Sequence, residues 1–281
     1  MANIQWVPGH MTKAKRQMEQ NLKLVDFVIE LRDARIPYSS RNPMLEEMMQ
    51  NKPRLIILSK KDKADPVQTE RWIEKLASDQ EKVLALDLIH DAFKKQVSDC
   101  ARELCRPFLE RQKRRGMKPR PLRAMVCGIP NVGKSTFINS IAKRKAAQTA
   151  NRPGVTKSLQ WIRFGSDIEL LDTPGVLWPK FDDQQVGMKL ALLGSIRDET
   201  IPMEEIAYFA CSYLMKNHRQ ALLDSYKVEW VEDPYEMLLS IGRKRGYLQG
   251  GQVDEDRLMK AFVKDMRQEK CGRITWEKAD D

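Results

Sequence analysis

The chain has 281 residues, 42% hydrophobic and 31% charged, which is ordinary globular composition and long enough to bury a core in one large domain or a medium and a smaller one. No run approaches the roughly 18 apolar residues of a membrane span, and the N-terminus MANIQWVPGH lacks the charged-then-apolar layout of a signal peptide. The net charge of +10 is uneven: residues 182–281 hold 15 Lys and Arg against 19 Asp and Glu, leaving 34 and 20 in residues 1–181.

In chain order, strand-like apolar runs fall at DFVIEL (Asp26 to Leu31), RLIILS (Arg54 to Ser59), KVLALD (Lys82 to Asp87), LRAMVCG (Leu122 to Gly128), WIRF (Trp161 to Phe164) and IELLDTP (Ile168 to Pro174). Several are too continuously apolar to have a wet face and suit central strands covered on both sides. Helical stretches lie between them, at Pro66 to Ala77 and Phe93 to Arg115. This alternation predicts an α/β fold with a mostly parallel sheet. After about residue 182 the strand signals fade. Met203, Ile206, Ala207, Ala210, Tyr213 and Leu214 repeat at helical spacing, as do Leu258, Met259, Phe262, Val263 and Met266 behind the capping candidate Asp254. We therefore expect one domain over 1–181 and a smaller α-helical domain over 182–281.

Cys100, Cys105, Cys127, Cys211 and Cys271 form an odd set with no Cys-x-x-Cys pair and no adjacent histidine, so the expectation is buried thiols in a reducing cytoplasm, without disulfides or zinc. The run RQKRRGMKPRPLR, Arg111 to Arg123, carries seven cations and no acid. Such a surplus attracts a polyanion by counterion release; solvated helix faces are the plainer alternative.

The richest motif is Gly128-Ile-Pro-Asn-Val-Gly133-Lys134-Ser135, which fits G-x-x-x-x-G-K-[ST] between a strand and a helical stretch. Glycines let the backbone wrap a phosphate chain, and the following helix N-terminus adds partial positive charge. In this reading Asn131, Val132 and Gly133 line the phosphates, Lys134 neutralises the β and γ groups, Ser135 ligates Mg²⁺, and Thr136 donates to the α phosphate. Asp172, in LLDTPG 38 residues after Lys134, ends an apolar strand and is placed to hold Mg²⁺ through water. The Gly175 amide is placed to sense the γ phosphate, and Thr156 in RPGVT supplies a second hydroxyl to Mg²⁺.

Guanine is commonly read by Asn-Lys-x-Asp at a strand end. The nearest equivalent lies upstream, as Ser59-Lys60-Lys61-Asp62. Asp62 keeps the selective carboxylate, which adenine would leave unpaired. Ser59 stands where Asn usually tethers this loop to the phosphate loop, so the departure bears on affinity more than on base identity. With the base-reading segment ahead of the phosphate-reading one, the motif order is circularly permuted, and the link through Arg111 to Pro121 must close what would otherwise be chain ends.

The permuted order, together with QWVPGHM (Gln5 to Met11), DARIPYSSRNP (Asp33 to Pro43) and DTPGVLWPKF (Asp172 to Phe181), resembles the ribosome biogenesis GTPase A family over essentially the whole chain. The resemblance implies GTP hydrolysis coupled to late maturation of the large ribosomal subunit, with the helical domain contacting rRNA. One further segment departs from the family: Asp87-Leu88-Ile89 stands where a Ser-Ala-Lys-like loop should brace the guanine, leaving Asp87 and Leu88 to contact the base mainly through backbone.

Val176 occupies the place where Ras-like enzymes carry a water-orienting Gln, so another group must position water. His10, in the Pro8-Gly9-His10 turn that the family shares, is the candidate, the alternative being a turn cap. Asn131 resembles the asparagine of GTPases that bind K⁺ at the phosphates, the alternative being loop packing. His90 and His218 carry no motif.

Three readings remain. The leading one is a cytoplasmic, monomeric GTP-dependent assembly factor, slow alone and stimulated by the subunit, in which Arg111 to Arg123 and GRKRG (Gly242 to Gly246) touch RNA phosphates. Lys260, Lys264 and Arg267 would form a basic helix face there, with Trp276 or Tyr247 stacking. The second is a sensor that binds GTP or GDP without turnover and scaffolds a protein. The third, action at a membrane surface, lacks a basic segment with a large apolar face.

Overall fold

The computed structural model describes residues 11–49, 52–141, 161–173, 183–196, 198 and 202–280, without the side chains of 11–15 and 17. Their contacts divide them into two compact units: residues 11–173 with the final stretch 277–280, and residues 183–276. The first holds the strand-rich part of the chain. The return of the last residues to it is a feature that no periodicity or composition signals.

The first unit is built on six strands: β1 (Phe27–Asp33), β2 (Arg54–Ser59), β3 (Glu81–Leu86), β4 (Leu122–Gly128), β5 (Trp161–Phe164) and β6 (Ile168–Asp172), in the order β3-β2-β1-β4-β6-β5. All neighbours pair in parallel except β5, which lies antiparallel on the edge. The apolar runs at β1, β2 and β4 are central and buried, as continuous hydrophobicity requires. β3 lies on the other edge and is only half-buried despite its apolar sequence.

The helices of this unit are α1 (Met11–Leu22), α2 (Pro43–Met49), α3 (Pro66–Leu76), α4 (Lys94–Leu104), α5 (Arg106–Arg114) and α6 (Lys134–Ile141). α3 starts on Asp65, whose side chain accepts from the Gln68 N–H, with Pro66 at the first helical position. The stretch expected as one helix from Phe93 to Arg115 is two, meeting at Cys105. Pro107 explains the break: it has no N–H to continue α4, but suits the first turn of α5, where that donor is unneeded. Met18, Leu22, Val25, Val28, Leu45, Met49, Met125 and Cys127 form one core, and Ala34, Ile56, Leu58, Ala64 and Trp72 pack with Ala279 in a second; the register puts the strand residues of both on the same face of the sheet.

The link that must close the permuted ends is tied where β1 begins. Arg120 reaches both carboxylate oxygens of Asp26 at 2.8 Å, the Arg123 N–H donates to the same carboxylate, and the Asp26 N–H donates to the Arg123 carbonyl at 2.7 Å. Arg123 also pairs with Glu169 and lies over the Trp161 ring. Two of the seven cations in the basic run are thus structural. Arg111, Lys113, Arg114, Arg115 and Lys118 are exposed.

The second unit holds α7 (Gln184–Leu192), α8 (Met203–Asn217), α9 (Arg219–Tyr226), α10 (Pro234–Lys244) and α11 (Glu255–Arg267), with a short hairpin of β7 (Leu248–Gln249) and β8 (Gln252–Val253). Its core uses the predicted stripes: Ile206, Ala207, Ala210 and Leu214 on α8, and Leu258, Met259, Phe262, Val263 and Met266 on α11 are buried. Asp254 caps α11 through the Arg257 N–H. Two expectations for an RNA face need correction. Trp276 is buried against Tyr213 and cannot stack on a base, because the small helical core needs its area. Arg267 is committed to the Leu192 and Ala191 carbonyls that end α7 and to Asp198.

Candidate functional site

The phosphate-loop motif lies between β4 and α6, at the carboxyl end of a central parallel strand, where open α/β sheets bind ligands. A side chain at Gly128, where φ is 152°, would put its Cβ 2.7 Å from the Leu31 carbonyl of β1. Asn131 at φ 63° and Gly133 at φ 92° continue the turn with left-handed backbone. Left-handed residues alternating with ordinary ones turn successive N–H groups into one anion-holding concavity. α6 then begins at Lys134, and Ser135 and Thr136 are exposed on its first turn. This is the geometry of a cradle for a phosphate chain.

Lys134 itself is largely buried, its ammonium 3.8 Å from the Asp172 carboxylate. Burial pulls its pKa down, against the opposing pull of Asp172. Asp172 is brought there because β6 pairs with β4 so that Val126 faces Asp172, and the Thr173 hydroxyl donates to the Val126 carbonyl at 2.7 Å. The Ser135 hydroxyl and the half-exposed Asp172 carboxylate are hard oxygen donors of the kind Mg²⁺ takes. Thr156, Gly175 and His10 lie outside the described residues.

The second segment arrives from β2. The fully buried Ser59 hydroxyl donates to the Val132 carbonyl at 2.6 Å, across 73 residues of chain, with the Arg32 carbonyl 3.0 Å away as a second acceptor within reach. Serine thus links this loop to the phosphate loop through its own hydroxyl. Lys60, left-handed at φ 58°, donates from its ammonium to the Asn131 carbonyl at 2.7 Å and to Asp33 at 2.8 Å. Its stem thus lies along the phosphate loop, as a lysine covering a base must. Asp62 follows in the 3₁₀ turn Lys61–Lys63 with its side chain exposed.

The third loop also reaches the phosphate loop. Leu88 is buried, and a Cβ on Gly133 would lie 3.1 Å from its Cδ1. Asp87 turns back on its own loop, accepting from the Ile89 and His90 N–H groups and meeting the His90 Nδ1 at 2.6 Å. Burial raises the Asp87 carboxyl, but these contacts outweigh it and leave its pKa lowered. The His90 imidazole is correspondingly raised by its hydrogen bond to Asp87. Lys61 pairs with Asp91 at 2.6 Å, and Asp91 in turn accepts from the Asp87 N–H.

One site residue escaped the reading of the sequence. Asp33 ends β1, buried, and holds Arg35 through both carboxylate oxygens as well as Lys60. Burial alone would raise its pKa; the Arg35 guanidinium and the Lys60 ammonium reverse that and hold the carboxyl well below the usual carboxylate range. The signal was present as a charged residue closing an apolar run one strand away from Lys60.

Comparison with known proteins agrees with this geometry. The family model described as "50S ribosome-binding GTPase" matches residues 123–221. The chain is 46% identical to "Ribosome biogenesis GTPase A" of Priestia megaterium over 98% of this chain and 96% of that one, and 44% identical to the Bacillus pumilus protein of the same name over 99% of each. The chain belongs to the ribosome biogenesis GTPase A family. The family's fold is present: the GNP-bound crystal structure of YlqF from T. maritima is 28% identical, covering 96% of this chain and 99% of that one at a TM-score of 0.66. A GDP-bound structure of the same protein covers 95% of this chain and 100% of that one, at 27% identity and a TM-score of 0.68. Within this family the permuted order, base-reading segment before phosphate loop, is the normal one, and guanine-nucleotide binding and a GTPase role in ribosome biogenesis go with membership.

Proposed function

We propose that this protein is a cytoplasmic GTPase that acts late in assembly of the large ribosomal subunit, binds its rRNA with GTP and leaves after hydrolysis. The observation that supports this most directly is the meeting of Ser59 and Lys60 with the phosphate loop at Val132 and Asn131, which lets one purine triphosphate span Asp62 and Lys134. Asp62 selects guanine, and Lys61 holds the base loop through Asp91. Asn131 to Thr136, with Gly175, bind the phosphates. Ser135, Thr156 and Asp172 hold Mg²⁺, which supplies charge stabilisation at the γ phosphate when bound. Asn131 is an exposed residue at the loop's left-handed corner and offers an amide oxygen to K⁺.

His10 orients the attacking water, in a reaction slow without the subunit. The exposed cations from Arg111 to Lys118, with Arg243 and Lys244 at the end of α10, contact RNA phosphates, and the half-exposed Tyr247 stacks. Phosphate release measured with and without purified large subunits tests the whole reading. Stimulation, together with co-sedimentation in a non-hydrolysable GTP analogue but not in GDP, is expected. Neither effect appearing would leave the sensor reading. His10→Ala should lose the stimulated rate and keep binding; equal rates in KCl and NaCl would remove K⁺ from the scheme.

A further inference from the structure

The final residues form a strap on the sheet-bearing unit. Glu277 is buried, and its carboxylate accepts from the Tyr38 N–H at 2.7 Å, from the Ser39 N–H at 3.0 Å and from the Ser39 hydroxyl. Its backbone carbonyl accepts from the Trp72 indole N–H at 3.1 Å. Two residues on, the Ala279 N–H donates to the Gln68 side chain, and the Ala279 methyl is buried in the cluster that includes Ala34 and Trp72. Arg71 and Asp280 close the strap with an exposed ion pair.

This strap grips the loop that follows β1, and the loop leads to the site. Next to Ser39, the Ser40 hydroxyl accepts from the Asp33 N–H at 2.9 Å and donates to the Ile36 carbonyl at 2.6 Å. The Asp33 carboxylate then holds Lys60, and Lys60 holds the Asn131 carbonyl. An unbroken series of hydrogen bonds and adjacent residues therefore runs from Glu277 to the phosphate loop. A carboxylate stabilised by three donors fixes the loop in one arrangement; without it the buried Ser39 N–H must find water, and the loop must open to supply it.

We propose that Glu277 is a positioning residue for nucleotide binding, acting through Ser39, Ser40 and Asp33 to hold the Lys60 ammonium on the Asn131 carbonyl. The proposal rests on the guanine-nucleotide reading of that site. In its absence the Lys60 stem is free to leave the position that covers the base, so affinity falls without any ligand contact being removed. Couplings of this kind are typically 5-fold to 150-fold.

The test is titration of the full-length protein with a fluorescent GDP analogue. Glu277→Ala should raise the Kd about tenfold, while Asp280→Ala, which removes only the exposed pair, should leave it unchanged. Lys60→Ala supplies the decisive background: the effect of Glu277→Ala should vanish there, whereas a merely structural loss would weaken binding in both backgrounds. Should Glu277→Ala not fold, Ser39→Ala, which deletes one donor, is expected to weaken binding severalfold in the same Lys60-dependent way. Unchanged affinity in a folded Glu277→Ala protein, or an equal effect with and without Lys60, overturns the proposal. Failure of the wild type to bind any guanine nucleotide would instead defeat the underlying reading of the site.

Discussion

At the centre of the sheet β1 and β2 run side by side in register, from Val28 opposite Arg54 to Asp33 opposite Ser59, and both are buried. β2 fills its place with Leu55, Ile56, Ile57 and Leu58, which need only a neighbour of the right volume. β1 carries Glu30, Arg32 and Asp33 at equal depth. Buried charges are costly unless specific partners meet them. Arg32 meets both oxygens of Glu30, at 2.9 and 3.0 Å, and Glu46 of α2; Arg54 reaches Glu30 and Glu81 from the next strand; Asp33 takes Arg35 and Lys60. The apolar strand supplies cohesion, and the charged one fixes which loops stand where at the site.

If that contrast is right, breaking a pair in β1 should cost more than making a hole in β2. Arg32→Ala leaves the Glu30 carboxylate buried beside only the longer Arg54 contact, and should lose about 4 kcal/mol in denaturant unfolding. The joint replacement Glu30→Leu with Arg32→Met should restore most of that loss, since an apolar pair has no charge to desolvate. A loss below about 1 kcal/mol in the single variant would mean that water reaches Glu30 and would erase the contrast. In β2, Ile57→Ala should lose about 3 kcal/mol through the cavity it leaves. Its folded fraction should still bind GDP as the wild type does, because Ile57 holds no loop.

Asp33 sharpens the comparison with pH. Its carboxyl is depressed in the folded state by Arg35 and Lys60, so its contribution is complete above the unfolded value of about 4 and is lost as pH falls below that toward the folded value. Asp33→Asn should therefore cost about 2 kcal/mol at pH 7, and its gap from the wild type should narrow as pH is lowered from 5 to 3. A gap independent of pH would show that Asp33 acts by shape and not by charge.

The same contrast explains what could be read from the sequence. β2, β4, β6 and the phosphate loop were legible because each signal is local: an apolar run bounded by a turn, or glycines and lysine at fixed spacing. The break of the expected 93–115 helix is also local, written in Pro107, but the apolar stripe of α4 runs up to it and masks it. The site roles of Asp33 and Glu277 were hidden for a different reason. Each depends on partners far along the chain, 27 residues from Asp33 to Lys60 and 238 from Ser39 to Glu277, and no periodicity encodes a pairing across such distances. Trp276 and Arg267 misled in the converse way, since residue types suited to RNA were already committed to the helical unit's own packing.

Ser59 carries the smallest expected effect and tests how the two loops share space. Its hydroxyl donates to the Val132 carbonyl, so Ser59→Ala should weaken GDP binding about fivefold, the equivalent of one hydrogen bond near 1 kcal/mol. The more telling variant is Ser59→Asn, which restores the residue commonly found in this motif. A Cβ at Gly133 would sit 3.1 Å from the Leu88 Cδ1 and 3.7 Å from the Ser59 Cβ, so leucine and serine flank one glycine from two sides. If the two side chains share this space, a larger residue at 59 has to displace the leucine. Ser59→Asn alone should bind GDP more weakly than Ser59→Ala, and adding Leu88→Ala should recover most of the loss. Ser59→Asn binding as tightly as the wild type would show that the two positions do not compete, and that serine at this place is not matched to the departure at Asp87-Leu88-Ile89.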